Sequence, residues 1–135
     1  MIVVDTNLIG YLFLTSDRSD LAELTLRKDP EWAAPLLWRS ELRNVLAQYV
    51  RRSLLGLEDA QRIMSAATET MSEREYEVAS DPVLKLAAES GCSAYDCEFV
   101  ALAQDLGVAL VTADRQVLRV FPGIAVGLDA FCAQR

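Results

Sequence analysis

Two short apolar runs, Ile2-Val3-Val4 and Val108-Ala109-Leu110-Val111, constrain the fold of this chain more than any other feature. Both are rich in β-branched residues, and both stop at polar residues, Asp5 in one case and Thr112-Ala113-Asp114 in the other. They predict buried strands. The intervening chain predicts mainly helices. Thr6 or Asn7 can cap a helix to about Leu14, and Asp17 to Lys28 follows with Leu21, Leu24 and Leu26 as packing residues, ended by Asp29-Pro30. Trp32-Ala33-Ala34 reads as a short strand before Pro35. From Leu37 to Arg52 the apolar residues recur at helical spacing, Gly56 lets the chain turn, and Leu57 to Met71 forms the second arm of a helical hairpin. Glu75 to Ala79 predicts a brief strand, and Asp81-Pro82 an N-cap and first turn for a helix ending at Gly91. Ser93 to Leu106 predicts another helix, closed by Gly107. A short helix from Asp114 to about Val120 and a last strand over Ile124 to Leu128 complete the pattern. Strands alternating with helices imply an α/β sandwich on a mainly parallel sheet, in one domain spanning 1–135.

Hydrophobic residues make up 52% and charged residues 24% of the chain, with no apolar run of about 18 residues to cross a bilayer. The N-terminus reaches Asp5 with no basic region before its apolar stretch, unlike a signal peptide, so a cytoplasmic protein is expected. Three cysteines, Cys92, Cys97 and Cys132, form no Cys-x-x-Cys pair and read as reduced, mostly buried thiols. A formal net charge of −7 opposes non-specific binding to a polyanion, unless clustered carboxylates hold cations that reverse the local field.

Histidine is absent. Acid/base and metal chemistry therefore fall to carboxylates, and four stand out: Asp5 and Asp114 just past the two buried strands, and Glu41 and Asp96 on the flanks of apolar helix faces. Ligands of parallel sheets bind beyond the carboxyl ends of the strands. Taken singly, each acid has a plainer role. Asp5 can cap a helix with Thr6 and Asn7, Ser93 with Asp96 resembles a capping box, Thr112 with Asp114 can cap another helix, and Glu41 can be a surface charge beside Arg39 and Arg43. Taken together, four converging carboxylates repel by roughly 4 kcal/mol per pair at about 4 Å and effective dielectric about 20. A shared cation removes that repulsion, and oxygen ligands suit Mg²⁺ or Mn²⁺.

Val3-Val4-Asp5-Thr6-Asn7, Glu41 within a helix, Ala94-Tyr95-Asp96 and Leu110-Val111-Thr112-Ala113-Asp114 together resemble the PIN-domain ribonucleases, and most of all the VapC-type toxins. The resemblance covers nearly the whole chain in acid order and spacing. It implies a PIN-like α/β/α sandwich with Mg²⁺- or Mn²⁺-dependent endonuclease activity on RNA, commonly as a homodimer restrained by a cognate antitoxin. By position it implies that Asp5, Asp96 and Asp114 hold metal and that Glu41 binds a second ion or orients the attacking water, with Thr6, Asn7 and Thr112 supporting them. Many members carry a further acid shortly after the position of Asp114; here Arg115, Gln116 and Val117 follow.

Arg39, Arg43, Arg51, Arg52 and Arg115 can contact RNA phosphates or stand as solvated helix charges. Tyr95 can stack on a base or be buried. Tyr11 to Leu14 and Leu36 to Trp38 suit either a groove for a partner helix or the core. The same fold without catalysis, a degenerate PIN-like binding module, is the alternative function. A phosphoacceptor receiver domain fits poorly, since Asp5 lacks a paired acid and the only lysines are Lys28 and Lys85. An Asp-x-Asp phosphatase is disfavoured because Asn7 replaces the second acid.

Overall fold

The computed structural model describes residues 1–134; Arg135, the last residue of the expected domain, lies outside them. Five strands, β1 (Ile2–Val4), β2 (Trp32–Pro35), β3 (Glu75–Tyr76), β4 (Leu110–Thr112) and β5 (Ala125–Gly127), form one sheet in the order β3-β2-β1-β4-β5. Every pairing is parallel, with Val3 opposite both Ala33 and Leu110. The chain builds outward from β1 to β2 and β3, then crosses back to place β4 on the other side of β1. The order therefore reverses between β1 and β4, and a crevice opens at their carboxyl ends.

Among the described residues, eight helices surround the sheet: α1 (Thr6–Phe13), α2 (Ser19–Lys28), α3 (Leu37–Arg51), α4 (Leu57–Met71), α5 (Ser80–Ser90), α6 (Ala94–Leu106), α7 (Arg115–Val120) and α8 (Leu128–Ala133). Helix α6 packs along β1, β2 and β4, α3 and α4 form the expected hairpin against β2, and α2 lies on α1 and α8. The core they enclose is built around Trp32, Trp38, Leu8, Leu42, Met71 and Val111, all fully buried. Such a core tolerates little change of volume.

Local chemistry sets most boundaries, with some departures from the sequence reading. Asp5, rather than Thr6 or Asn7, is the N-cap of α1, its Oδ1 accepting from the Leu8 N–H at 2.9 Å. Helix α5 begins at Ser80 with no side-chain cap, so Asp81-Pro82 falls inside its first turn. That placement suits proline, whose missing N–H is unneeded there. Between α3 and α4 it is Ser53 that takes the left-handed conformation (φ 57°), while Gly56 is extended and starts α4. Gly91 and Gly107 end α5 and α6 at φ 76° and 68°, where any side chain is strained. Leu21 and Leu26 pack on the core, but Leu24 is exposed. The three cysteines are free thiols, two of them buried. Among the described residues, no helix is long and apolar enough to cross a membrane.

Candidate active site

All four acids meet in the crevice between β1 and β4. The pocket has a volume of about 70 Å³, and Asp5, Glu41, Asp96 and Asp114 line it together with Thr6, Asn7 and Thr112. Phe99, Leu110 and Val117 supply its apolar wall, and among the described residues no Lys or Arg belongs to the lining.

Each acid is delivered by a different element. Asp5 leaves β1 and caps α1, which aims its carboxylate along the sheet edge. The cap uses Oδ1, while Oδ2 accepts from the hydroxyl of buried Thr112. Thr112 also accepts from the Asp114 N–H at 3.0 Å, and Asp114 Oδ1 accepts from the Val117 N–H at 2.9 Å, capping α7. One threonine thus ties the two acids from neighbouring strands. Glu41 reaches in from α3, its Oε1 accepting from the Thr6 hydroxyl at 2.7 Å. Asp96 stands in the first turn of α6, whose N-cap Ser93 accepts from the Asp96 N–H at 3.0 Å. Capping and site-building are therefore the same geometry: caps fix the carboxylates of Asp5 and Asp114, and the Ser93 cap fixes the backbone from which Asp96 projects. Asn7 lines the pocket but makes none of these bonds.

The electrostatics match a site short of positive charge. Burial pushes the Asp5 carboxyl up to about 6, the bonds from Thr112 and Leu8 pull it down, and Asp114 and Glu41 raise it further. Burial and then Asp114 raise Asp96, against the bond with Ser93. Glu98, on the next flank of α6, is raised by burial and by Glu41. Glu98 is not part of the pocket lining and stands instead at a separate cleft beside Val78, Val83 and Leu84. Val117 lines the pocket on the α7 side.

The donor set consists entirely of oxygens and carries uncompensated negative charge, which fits a hard divalent cation. Among the described residues, no three acidic side chains stand close enough together to form a finished coordination cage. The carboxylates surround a pocket, and closing onto an ion would draw them inward.

Of the arginines, Arg39 is engaged with Glu75. Arg43 and Arg51 rim an apolar groove between α3 and α4. Tyr95 is 64% exposed beside Asp96, so it is not a core residue. Trp38 belongs to the core, while Leu36 is exposed.

Thr112→Val tests the tie directly. It keeps the shape, leaves the Asp114 N–H without its acceptor and removes a donor from Asp5. We expect a loss of about 1–2 kcal/mol of stability. The Asp5 titration should also move further upward, read by NMR of the carboxyl carbon; an unchanged midpoint would contradict the assigned bond.

A parallel sheet whose order reverses beside an acid-lined pocket places a binding crevice at the switch point of an α/β fold, and the comparisons narrow the class. The PIN domain family model matches residues 2–121. The chain is 30% identical over 126 residues to Ribonuclease VapC3 of Pyrobaculum aerophilum, covering 91% of this chain and 96% of that protein. The chain belongs to the PIN domain family. Its fold is similar to the crystal structure of PAE2754 from Pyrobaculum aerophilum, with TM-score 0.77 at 23% identity over 97% of this chain and 92% of the other. It is also similar to a chain of a toxin–antitoxin complex from Klebsiella pneumoniae, with TM-score 0.71 at 22% identity over 95% and 98% of the two chains.

Proposed function

We propose that the protein is a metal-dependent endoribonuclease, the toxin of a toxin–antitoxin pair, which cleaves RNA phosphodiesters with Mg²⁺ or Mn²⁺ held by Asp5, Asp96, Asp114 and Glu41. The observation that carries this reading is the convergence of four carboxylates from four separate elements on one pocket, with no basic residue in its lining among the described residues. The kinship with VapC3, named a ribonuclease, supplies the substrate class. The likeness to the toxin–antitoxin complex supports an antitoxin as protein partner. A homodimer and a cytoplasmic location complete the proposal, with the PIN fold as the single domain.

When bound, divalent ions lower the pKa of a water and stabilise the attacking and leaving oxygens of the phosphodiester. Asp5, Asp96 and Asp114 would hold them, with Glu41 as a further ligand or the group that orients the attacking water. The cap bonds from Leu8 and Val117 and the Thr112 hydroxyl keep two of these carboxylates aimed before substrate arrives, so little reorganisation remains for the reaction. Glu41 gives one oxygen to Thr6 and keeps Oε2 free to accept a proton from the attacking water, the role that histidine fills in other hydrolases. Phe99 and Val117 limit the water in contact with the acids.

The test is cleavage of labelled transfer and ribosomal RNA by purified, antitoxin-free protein in EDTA, Mg²⁺ or Mn²⁺, beside Asp96→Asn. Metal-dependent cutting that falls by about a hundredfold or more in the variant is expected, since even the residues behind metal ligands are worth about 10- to 100-fold. Equal cutting by both proteins would assign the activity to a contaminant and leave a binding module as the better account.

A further inference from the structure

Glu75 lies on the edge strand β3, outside the pocket, yet its carboxylate is the anchor of helix α3. Its Oε1 accepts from Trp38 Nε1 at 2.7 Å and from Arg39 Nε at 2.5 Å, and its Oε2 accepts from Arg39 Nη2 at 2.7 Å. The Glu75 side chain is only 13% exposed. All three donors belong to the opening turn of α3, which has no side-chain N-cap bond and no acid of its own. The Glu75 carboxylate therefore grips the opening turn of α3 through two of its side chains, not through its backbone N–H groups. Backbone bonding agrees, since the Leu36 N–H donates to the Tyr76 carbonyl at 3.0 Å.

The consequence reaches the pocket. Trp38 and Glu41 are three residues apart on one helix, hence neighbours on one face, and Trp38 is fully buried. A carboxylate that pins the Trp38 indole and the Arg39 guanidinium sets both the rotation and the depth of the turn from which Glu41 projects. At the pocket end, the only hydrogen bond holding the Glu41 carboxylate among the described residues is that from Thr6.

We propose that Glu75 is a positioning residue for the RNA-cleaving site: through Trp38 and Arg39 it holds α3 so that the Glu41 carboxylate meets the pocket. The assignment rests on the functional reading above, in which Glu41 serves that site. Removing the Glu75 charge lets the opening turn of α3 relax and carries Glu41 away from Asp5.

A double-mutant cycle on the whole protein tests this, comparing the unmutated chain, Glu75→Gln, Glu41→Gln and the double variant. Mn²⁺ binding is read by electron paramagnetic resonance of the free ion, and RNA cleavage is read in parallel. Asp5, Asp96 and Asp114 keep binding measurable in the Glu41→Gln background. Glu75→Gln should weaken Mn²⁺ binding and slow cleavage by about tenfold, and should change neither once Glu41 is already Gln. Equal fold-changes in both backgrounds would overturn the proposal, as would a lower melting midpoint with Mn²⁺ affinity and cleavage unchanged. Arg39→Lys keeps the charge and loses the two-pronged grip, so it carries the same cycle if Glu75→Gln does not fold. An unmutated protein that binds Mn²⁺ without cutting RNA sinks the nuclease reading while the binding cycle still judges the positioning; one that binds no Mn²⁺ overturns both.

Discussion

Asp5→Asn will abolish RNA cleavage and at the same time make the metal-free protein more stable near neutral pH. Asparagine caps a helix as well as aspartate does, so the bond to the Leu8 N–H survives the change. What disappears is an acceptor for the Thr112 hydroxyl, which offsets part of the gain, and an ionised carboxylate whose folded-state pKa is pushed up from 3.8 to about 6, chiefly by burial. A group whose pKa rises on folding contributes stability that is complete below the unfolded value and is lost as pH climbs through the folded one. The metal-free chain should therefore gain about 1 kcal/mol on going from about pH 7.5 to about pH 5.5. At the upper pH, Asp5→Asn should exceed the unmutated chain by about 2 kcal/mol. Asp96 and Glu98 are raised as well and work in the same direction. Glu75 is lowered by its bond with Arg39, so its contribution is lost only as pH falls through a value below the usual glutamate range. The window between that range and about pH 6 thus belongs to the raised acids. Calorimetry in EDTA across pH reads this. A midpoint that climbs with pH in the unmutated chain, or a variant that melts lower at neutral pH, would refute the electrostatic account. Saturating Mn²⁺ should reverse the trend by stabilising the ionised form, and it should do nothing for the variant. Stability given up at the pocket is what the site requires to hold an ion.

The second large effect belongs to the core. Trp38→Ala should remove about 4 kcal/mol, lowering the melting midpoint by about 10–20 °C. Trp38 is fully buried, and its truncation opens a cavity and takes one of three donors from Glu75. The informative comparison is with Trp32, equally buried in β2, whose Nε1 finds no acceptor among the described residues. Trp38→Phe breaks a bond and takes a donor from a partly buried carboxylate, whereas Trp32→Phe deletes a donor that was already unpaired. Leaving a buried polar group unsatisfied costs about 1–3 kcal/mol, so Trp38→Phe should be the more damaging change by about that margin. Denaturant unfolding of the two phenylalanine variants checks it; equal losses would mean that volume alone governs both sites.

The sequence by itself determined the α/β alternation, most element boundaries to within a few residues, and the identity of the four acids. These are local matters. Helical spacing, β-branched runs and capping residues act over a few positions, and each leaves its mark on neighbouring letters. Asp5 and Asp114 were legible because an acid ending a buried strand can face only the sheet's carboxyl edge, and Glu41 and Asp96 because acids flanked an apolar face. The resemblance to PIN-domain ribonucleases then joined all four. What only the tertiary structure decided is non-local: the strand order that reverses between β1 and β4, the threonine that ties Asp5 to Asp114, and the choice of Ser53 over Gly56 for the left-handed turn. The same holds for Arg39 and Glu75. In the sequence Arg39 is one helix charge among several, and Glu75 opens a brief strand. Their pairing across 36 positions depends on how α3 lies against β3. Contacts between distant segments form only when the core between them closes, so their partners follow from packing and not from the residues beside them in the chain.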